Sequence, residues 1–308
     1  MKMRLIDIKG PIMNFPPEDF EQLRNLVSRL RLGEVELSIG KKSFLALEAM
    51  VEDADVVAMS NIVELSDKTQ LSAASITRLA KLLGFKGYGQ FQLIFKQKSK
   101  MANSFYSDGV NRLLAQKHDS VKSLMQHQGM SINQNISQTI AQLDNDHMVN
   151  ATSLLAKKNR IHIFAYRHSA AIANILRYGL ALLRPNVQML VQEAHGEAIA
   201  LGQLKKDDLL VVIGSSPYSN VTLKIAAIAK KQQCQILAIT DSKLSPLNEL
   251  ATVALTIPSS THFFTNSLVS SCFLIESLLS LTAIELGNTA VNHIKHHEQL
   301  LSQLEVSS

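Results

Sequence analysis

Acidic residues are missing from one stretch of the chain where basic ones are plentiful. Between Asp67 and Asp108 there is no Asp or Glu, while Lys68, Arg78, Lys81, Lys86, Lys96, Lys98 and Lys100 all occur. A surface of one sign suits a polyphosphate partner, because each phosphate neutralised by Lys or Arg releases condensed counterions. Cysteine is nearly absent too. Cys234 and Cys272 share no metal or redox spacing, which excludes a disulfide framework and predicts two reduced core thiols. The N-terminal MKMRLIDIKGPIMNF lacks an apolar run and a small-residue cleavage site, so no secretory signal is expected. The run from Ser267 to Leu286 is as long as a membrane span but carries Glu276, Glu285 and several Ser and Thr. It reads as a buried domain helix, with no membrane partner and a cytoplasmic location expected.

What is present describes a folded protein. Hydrophobic residues make up 46% of the 308, charged residues 19%, and the formal net charge is +5. That length accommodates two cores. In the basic stretch, Ser72 is a good N-cap for a helix from Ala73 to Leu83. Ile76, Leu79, Ala80 and Leu83 recur at i, i+3, i+4 and i+7, so one side is apolar while Ser75, Thr77, Arg78 and Lys81 fall on the other. Asn61 caps a preceding helix, Ile62 to Lys68, and Thr69-Gln70-Leu71 makes the turn between them. Two helices joined in this way form a helix-turn-helix, whose second helix enters the major groove. Ser72, Ala73, Ser75, Thr77, Arg78 and Lys81 are therefore expected at DNA, with Lys86, Lys96 and Lys98 on its phosphates. Upstream, helices are expected from Pro17 to Arg31 and from Ser43 to Met50, with Asp53 to Met59 as a connection. Downstream, a helix runs from Gly89 to about Ala102.

From residue 131 two helical segments lead into an alternation of strands and helices. Strands are expected at 160–165, 187–191, 208–214, 235–240 and 252–257, and helices at 169–183, 195–204, 219–231 and 265–286. Such alternation predicts a three-layer α/β domain with a five-stranded parallel sheet. Ligands then sit beyond the carboxyl ends of the strands. That places Arg167 and Ser169 after the first strand beside Ser215, Ser216 and Ser219 after the third. Hydroxyls and free N–H groups at two helix N-termini form an anion site, and Arg167 could add a charged contact.

Other clusters carry less. His293, His296 and His297 are spaced along one helix face but have no further ligand to complete a metal set, so a solvated helix is expected and no metal or cofactor. His195 and Glu197 could serve as acid and base in an isomerase. Capping or solvation suits them better, and no catalytic residue is assigned.

The residues at 62–66, 72–78 and 81–88, the last ending in Gly84-Phe85-Lys86-Gly87-Tyr88, resemble the RpiR-type helix-turn-helix domain. The second half resembles a sugar isomerase (SIS) domain, with Ser169 at the first-strand serine and Ser216 and Ser219 on the phosphosugar loop. Ile239-Thr240-Asp241, followed by Ser245-Pro246-Leu247, is similar to the strand and turn after that loop, and adds Thr240 to the effector residues. Gly214 and Pro217 stand where the family's loop usually has serine and glycine. The resemblance implies a multidomain chain: an all-α DNA-binding domain at 15–103 with its helix-turn-helix at about 61–83, a linker at 104–130, a SIS-like effector-binding and dimerisation domain at 131–290, and a helical tail at 291–308. It implies a non-enzymatic transcriptional regulator, a homodimer or tetramer, that binds a double-stranded DNA operator and senses a sugar phosphate or related anionic metabolite. The alternative is a sugar-phosphate isomerase with an accessory helical domain.

Overall fold

The computed structural model describes residues 16–304 except 32, 36, 117–119, 192–195, 244 and 260–262. The chain divides into two compact units between Tyr106 and Ser107.

The first unit is helical: α1 (Phe20–Arg31), α2 (Lys41–Glu52), α3 (Ala54–Met59), α4 (Ile62–Thr69), α5 (Ala73–Leu82) and the first part of α6 (Tyr88–Ala115). Its core gathers Leu23, Leu26, Leu47, Leu65, Ile76, Leu83, Phe91 and Phe95, all essentially without solvent exposure. Phe95 packs edge-on against Phe20 at 5.5 Å and Phe91 at 4.9 Å between ring centroids. The segment expected as a connection, Asp53 to Met59, contains α3. Its Ala54, Val57 and Ala58 are buried, and this i, i+3, i+4 stripe against the core holds a short helix that propensity alone would not.

The expected linker at 104–130 is largely helix. α6 continues to Ala115, and α7 (Val121–Gln142) starts at Ser120, whose Oγ accepts from Ser123 N at 3.1 Å. No proline interrupts α6. Its internal Gly109, in the second unit, meets Phe264 so closely that a Cβ there would stand 1.9 Å from the Phe264 carbonyl oxygen. Close backbone approach is the reason for glycine at this point.

The second unit continues with α8 (Asn145–Lys157), β1 (Ile161–Ala165), α9 (Ser169–Leu183), β2 (Val187–Met189), α10 (Gly196–Gly202), β3 (Leu209–Gly214), α11 (Asn220–Lys231), β4 (Gln235–Thr240), α12 (Pro246–Leu250), β5 (Val253–Thr256), α13 (Val269–Leu286) and α14 (Asn288–Gln303). The five strands are all parallel, in the order β2-β1-β3-β4-β5. Apolar residues occupy both faces of the central strands, as a sheet covered on two sides requires. Ile161, Ile163, Val211 and Leu237 pack against α8, α9 and α13. Phe164, Leu210, Val212 and Ala238 pack against α10, α11 and α12. The apolar helix α13 buries Leu274, Ile275 and Leu278 completely in that core. α14, expected as a tail, packs on α9, and His297 Nε2 lies 3.2 Å from the Ala181 carbonyl oxygen. Among the described residues no three His, Cys, Asp or Glu side chains are placed to hold a metal.

Two buried polar staples lie away from the strands' carboxyl ends. Arg184, 7% exposed, donates to the carbonyls of Leu155, Ala156, Lys158 and Asn159, closing the C-terminal end of α8. At the start of β3, Asp208 holds Arg160 through a two-pronged contact of 2.9 and 2.6 Å and accepts from Lys205 N. Burial pushes the Asp208 carboxyl up, but these donors outweigh it and hold it below its ordinary range. His162 sits 3.4 Å from the same carboxylate; burial lowers its pKa, with Asp208 pulling partly the other way. The Cys234 thiol, pushed up by burial and by Asp208, donates to the Lys205 carbonyl, an unreactive setting.

Candidate functional site

Local chemistry builds the helix-turn-helix. Asn61 caps α4 in a reciprocal box: its Oδ1 accepts from Val63 N and Glu64 N at 2.9 and 3.0 Å, and Asn61 N donates back to Glu64 Oε2 at 3.0 Å. Gln70, at φ 57°, then ends α4 in the left-handed region and lets the chain turn. Ser72 Oγ caps α5 by accepting from Ser75 N at 3.1 Å and lies 2.8 Å from Ser75 Oγ. Ile76, Leu79 and Ala80 face the core.

The other face of α5 places the expected DNA residues unequally. Arg78 and Lys81 are exposed, as are Lys86 beyond the helix end and Lys96 on α6. No ion pair among the described residues neutralises any of these four. Ser72 is exposed, whereas Ala73, Ser75 and Thr77 are half-buried. The Thr77 hydroxyl donates to the Ala73 carbonyl at 2.9 Å. Lys98 behaves differently: its Nζ lies over the Phe20 ring, 4.6 Å from the centroid, so its stem and charge also join α6 to α1. Ala74, which the sequence reading passed over, is exposed on the first turn of α5.

The second site is a shallow cleft, open to solvent, at the carboxyl ends of β1, β3, β4 and β5. The strand order reverses between β1 and β3, which is where parallel sheets of this kind open a crevice. Ser169, Ser215 and Thr240 line the cleft together with Gly214, Asp241, Ser259, Asn266, Ser267 and Ser271. Ser169 is 6% exposed and is the first residue of α9, the cap position being held by His168, which makes no side-chain cap bond. Ser219 holds the cap position of α11, again without a side-chain cap bond. Thr240 Oγ1 donates to the buried Ser245 Oγ at 2.7 Å. Asn266 Nδ2 donates to Ser215 Oγ and to the Ser216 carbonyl at 3.0 and 2.6 Å, tying the segment before α13 to the loop after β3.

The structure brings some of the expected effector residues together and leaves others apart. Ser216 and Ser219 stand on the same loop as Ser215 but outside the cleft lining, and Pro217 between them has no N–H to offer. Arg167 is exposed, at φ 56°, and does not line the cleft. Glu197 is exposed on α10 and also lies outside the lining; His195 falls outside the described residues. Ser259, Asn266 and Ser267 come from the connection after β5, and Ser271 from the first turn of α13. The strand-end rule applied to β1 and β3 would have reached them had it been extended to β5.

Comparison with known proteins matches both units. Residues 40–102 match the helix-turn-helix domain of the rpiR family, and residues 154–281 match the SIS domain. The chain belongs to the rpiR-type transcriptional regulators. An uncharacterized HTH-type transcriptional regulator from Clostridium perfringens is 24% identical to this regulator over 80% of its chain and 88% of the relative. Among solved structures, the Vibrio vulnificus NanR protein complexed with ManNAc-6P has a TM-score of 0.54 at 18% identity, covering 92% of this chain and 99% of that one. The sugar isomerase domain of an RpiR transcription factor from Sphaerobacter thermophilus has a TM-score of 0.53 at 21% identity, covering 56% and 96%. These two structures share the regulator's fold.

Proposed function

We propose that this regulator reads double-stranded operator DNA with α5 and that its SIS cleft binds a small sugar-derived anionic metabolite, which changes operator affinity. The observation that carries this reading is the exposed, unneutralised face of Arg78, Lys81, Lys86 and Lys96 in a helix-turn-helix that precedes a cleft lined by hydroxyls. In this reading Arg78 reaches base edges, while Lys86 and Lys96 hold phosphates. α11 begins on the loop after β3 with no side chain capping it, which leaves its first N–H groups for an anion, whereas at α9 the N–H groups of Ala170 and Ala171 already donate to the Arg167 and His168 carbonyls. The assembly is a cytoplasmic homodimer or tetramer, since two-fold operators match two-fold proteins. The effector works by favouring one placement of the reading heads over another.

The test is a thermal-shift screen of sugar phosphates and sugar acids, followed by operator binding with and without each stabilising compound. A true effector at a hundredfold excess over its Kd stabilises the protein by about 2.7 kcal/mol and changes the operator Kd. Stabilisation without any change in operator affinity would remove the regulatory link. Turnover of an aldose or ketose phosphate, lost in Glu197→Gln, would favour the isomerase reading instead.

A further inference from the structure

Asp241 follows β4 directly and is the one charged side chain among the described residues that line the cleft. Its Oδ2 accepts from Ser216 N at 2.9 Å and its Oδ1 from the Tyr218 hydroxyl at 2.7 Å, while Thr240 Oγ1, whose proton goes to Ser245, stands 3.4 Å from Oδ1. Both donors belong to the loop between β3 and α11, the same loop that an effector's anionic group would meet. Among the described residues no Lys or Arg lines the cleft and no ion pair offsets the carboxylate. The protein's own anion therefore already holds the loop donors, and a second anion brought within a few ångströms would be repelled inside a partly dehydrated site.

We propose that Asp241 is a built-in competitor for the anionic group of the effector and so determines which effectors the cleft accepts. The proposal rests on the effector reading above. An arriving phosphate or carboxylate must displace Asp241 from Ser216 N and Tyr218, so only a ligand whose remaining contacts offset that exchange binds well. Ser215, Asn266, Ser267 and Ser271 are placed to supply such contacts to sugar hydroxyls. Displacement also unties the loop after β3 from the loop after β4, which gives the bound effector a way to alter the structure around it.

The test uses the full chain as wild type, Asp241→Asn and Tyr218→Phe. Each is titrated calorimetrically with inorganic phosphate, glucose 6-phosphate, N-acetylmannosamine 6-phosphate and unphosphorylated glucose. The Asp241→Asn side chain keeps the shape and loses the charge; its Oδ1 can still accept from Ser216 N, and its amide can donate to the Tyr218 oxygen in a reversed bond. It should tighten binding of the phosphorylated compounds that the wild type binds by about tenfold or more, with glucose unchanged. Tyr218→Phe retains the carboxylate and should change affinity by less than about threefold, the scale of one modest hydrogen bond. The same gain for glucose, or an equal gain in Tyr218→Phe, would mean a loosened loop and would overturn charge competition. Weaker anion binding in Asp241→Asn would mean that the carboxylate contacts the ligand, and would overturn it too. Wild-type binding with no change in Asp241→Asn rejects the competitor alone. If neither protein binds any phosphorylated compound, the anionic-effector reading and the competitor fall together.

Discussion

Among the described residues, Arg78, Lys81 and Lys86, along α5 and just beyond it, stand in solvent with no counter-charge, whereas the single charged side chain lining the SIS cleft, Asp241, is tied to Ser216 and Tyr218. The first surface gains by meeting a partner, because phosphates supply what it lacks. The second has to exchange bonds it already has, so it discriminates among partners by what each offers in return. A broad electrostatic surface and a selective cleft suit a protein that finds one polymer and answers to one small molecule.

The largest expected effect separates the two units by stability. Arg184→Leu removes the guanidinium that satisfies the carbonyls at the end of α8 and leaves several buried acceptors unpaired, at a cost of about 3 kcal/mol or more. Denaturant unfolding of the full chain should show the loss in the α/β unit, with the helical unit's core around Phe91 and Phe95 unaffected. An unchanged midpoint would show that the staple is dispensable.

Acidification should weaken the same unit next. Burial keeps His162 less basic in the fold than in the unfolded chain, which takes up its proton near pH 6.5. The unfolded state therefore binds more protons as pH falls through 6.5, so stability is intact above that value and declines below it. His168 acts in the same direction, because burial and Arg167 lower its pKa. Asp208, held below its ordinary range, adds a further loss at lower pH as it is protonated. The unfolding free energy should be lower at pH 5.5 than at pH 7.5, and His162→Gln should shrink the gap. A gap that His162→Gln leaves unchanged would place its origin elsewhere.

The smallest effect belongs to the basic surface. Lys86→Ala should weaken all DNA sequences alike and reduce the slope of log K against log salt by about 1. Loss of sequence preference in that variant would mean that Lys86 reads bases.

The two sites were not equally legible in the sequence. The helix-turn-helix is written locally: Ser72 caps, Ile76, Leu79, Ala80 and Leu83 mark a face, and Asn61 with Glu64 starts the helix before. The strands were legible because each is a short apolar run bounded by turns. The full length of α6 was not, since the Ser- and Asn-containing stretch around residue 104 reads as a linker, and the contact that accommodates Gly109 comes from Phe264, far along the chain. The cleft was half legible. Ser169 and Ser215 follow from strand ends and Thr240 from the family resemblance, but Asn266 reaches Ser215 only because the segment after β5 folds back beside the loop after β3. Asp241 was visible as a loop residue; its hold on Ser216 N depends on distances that no spacing reports.

The most direct measurement is the affinity of the full chain for the duplex DNA upstream of its own coding sequence, beside a shuffled duplex at the same salt, for wild type and Arg78→Ala. The wild type should prefer the upstream sequence, and Arg78→Ala should lose about 1–3 kcal/mol there with little change on the shuffled duplex. Equal affinity of the wild type for both duplexes, or an Arg78→Ala variant that binds the upstream sequence undiminished, would contradict the assignment of α5 as the reading element.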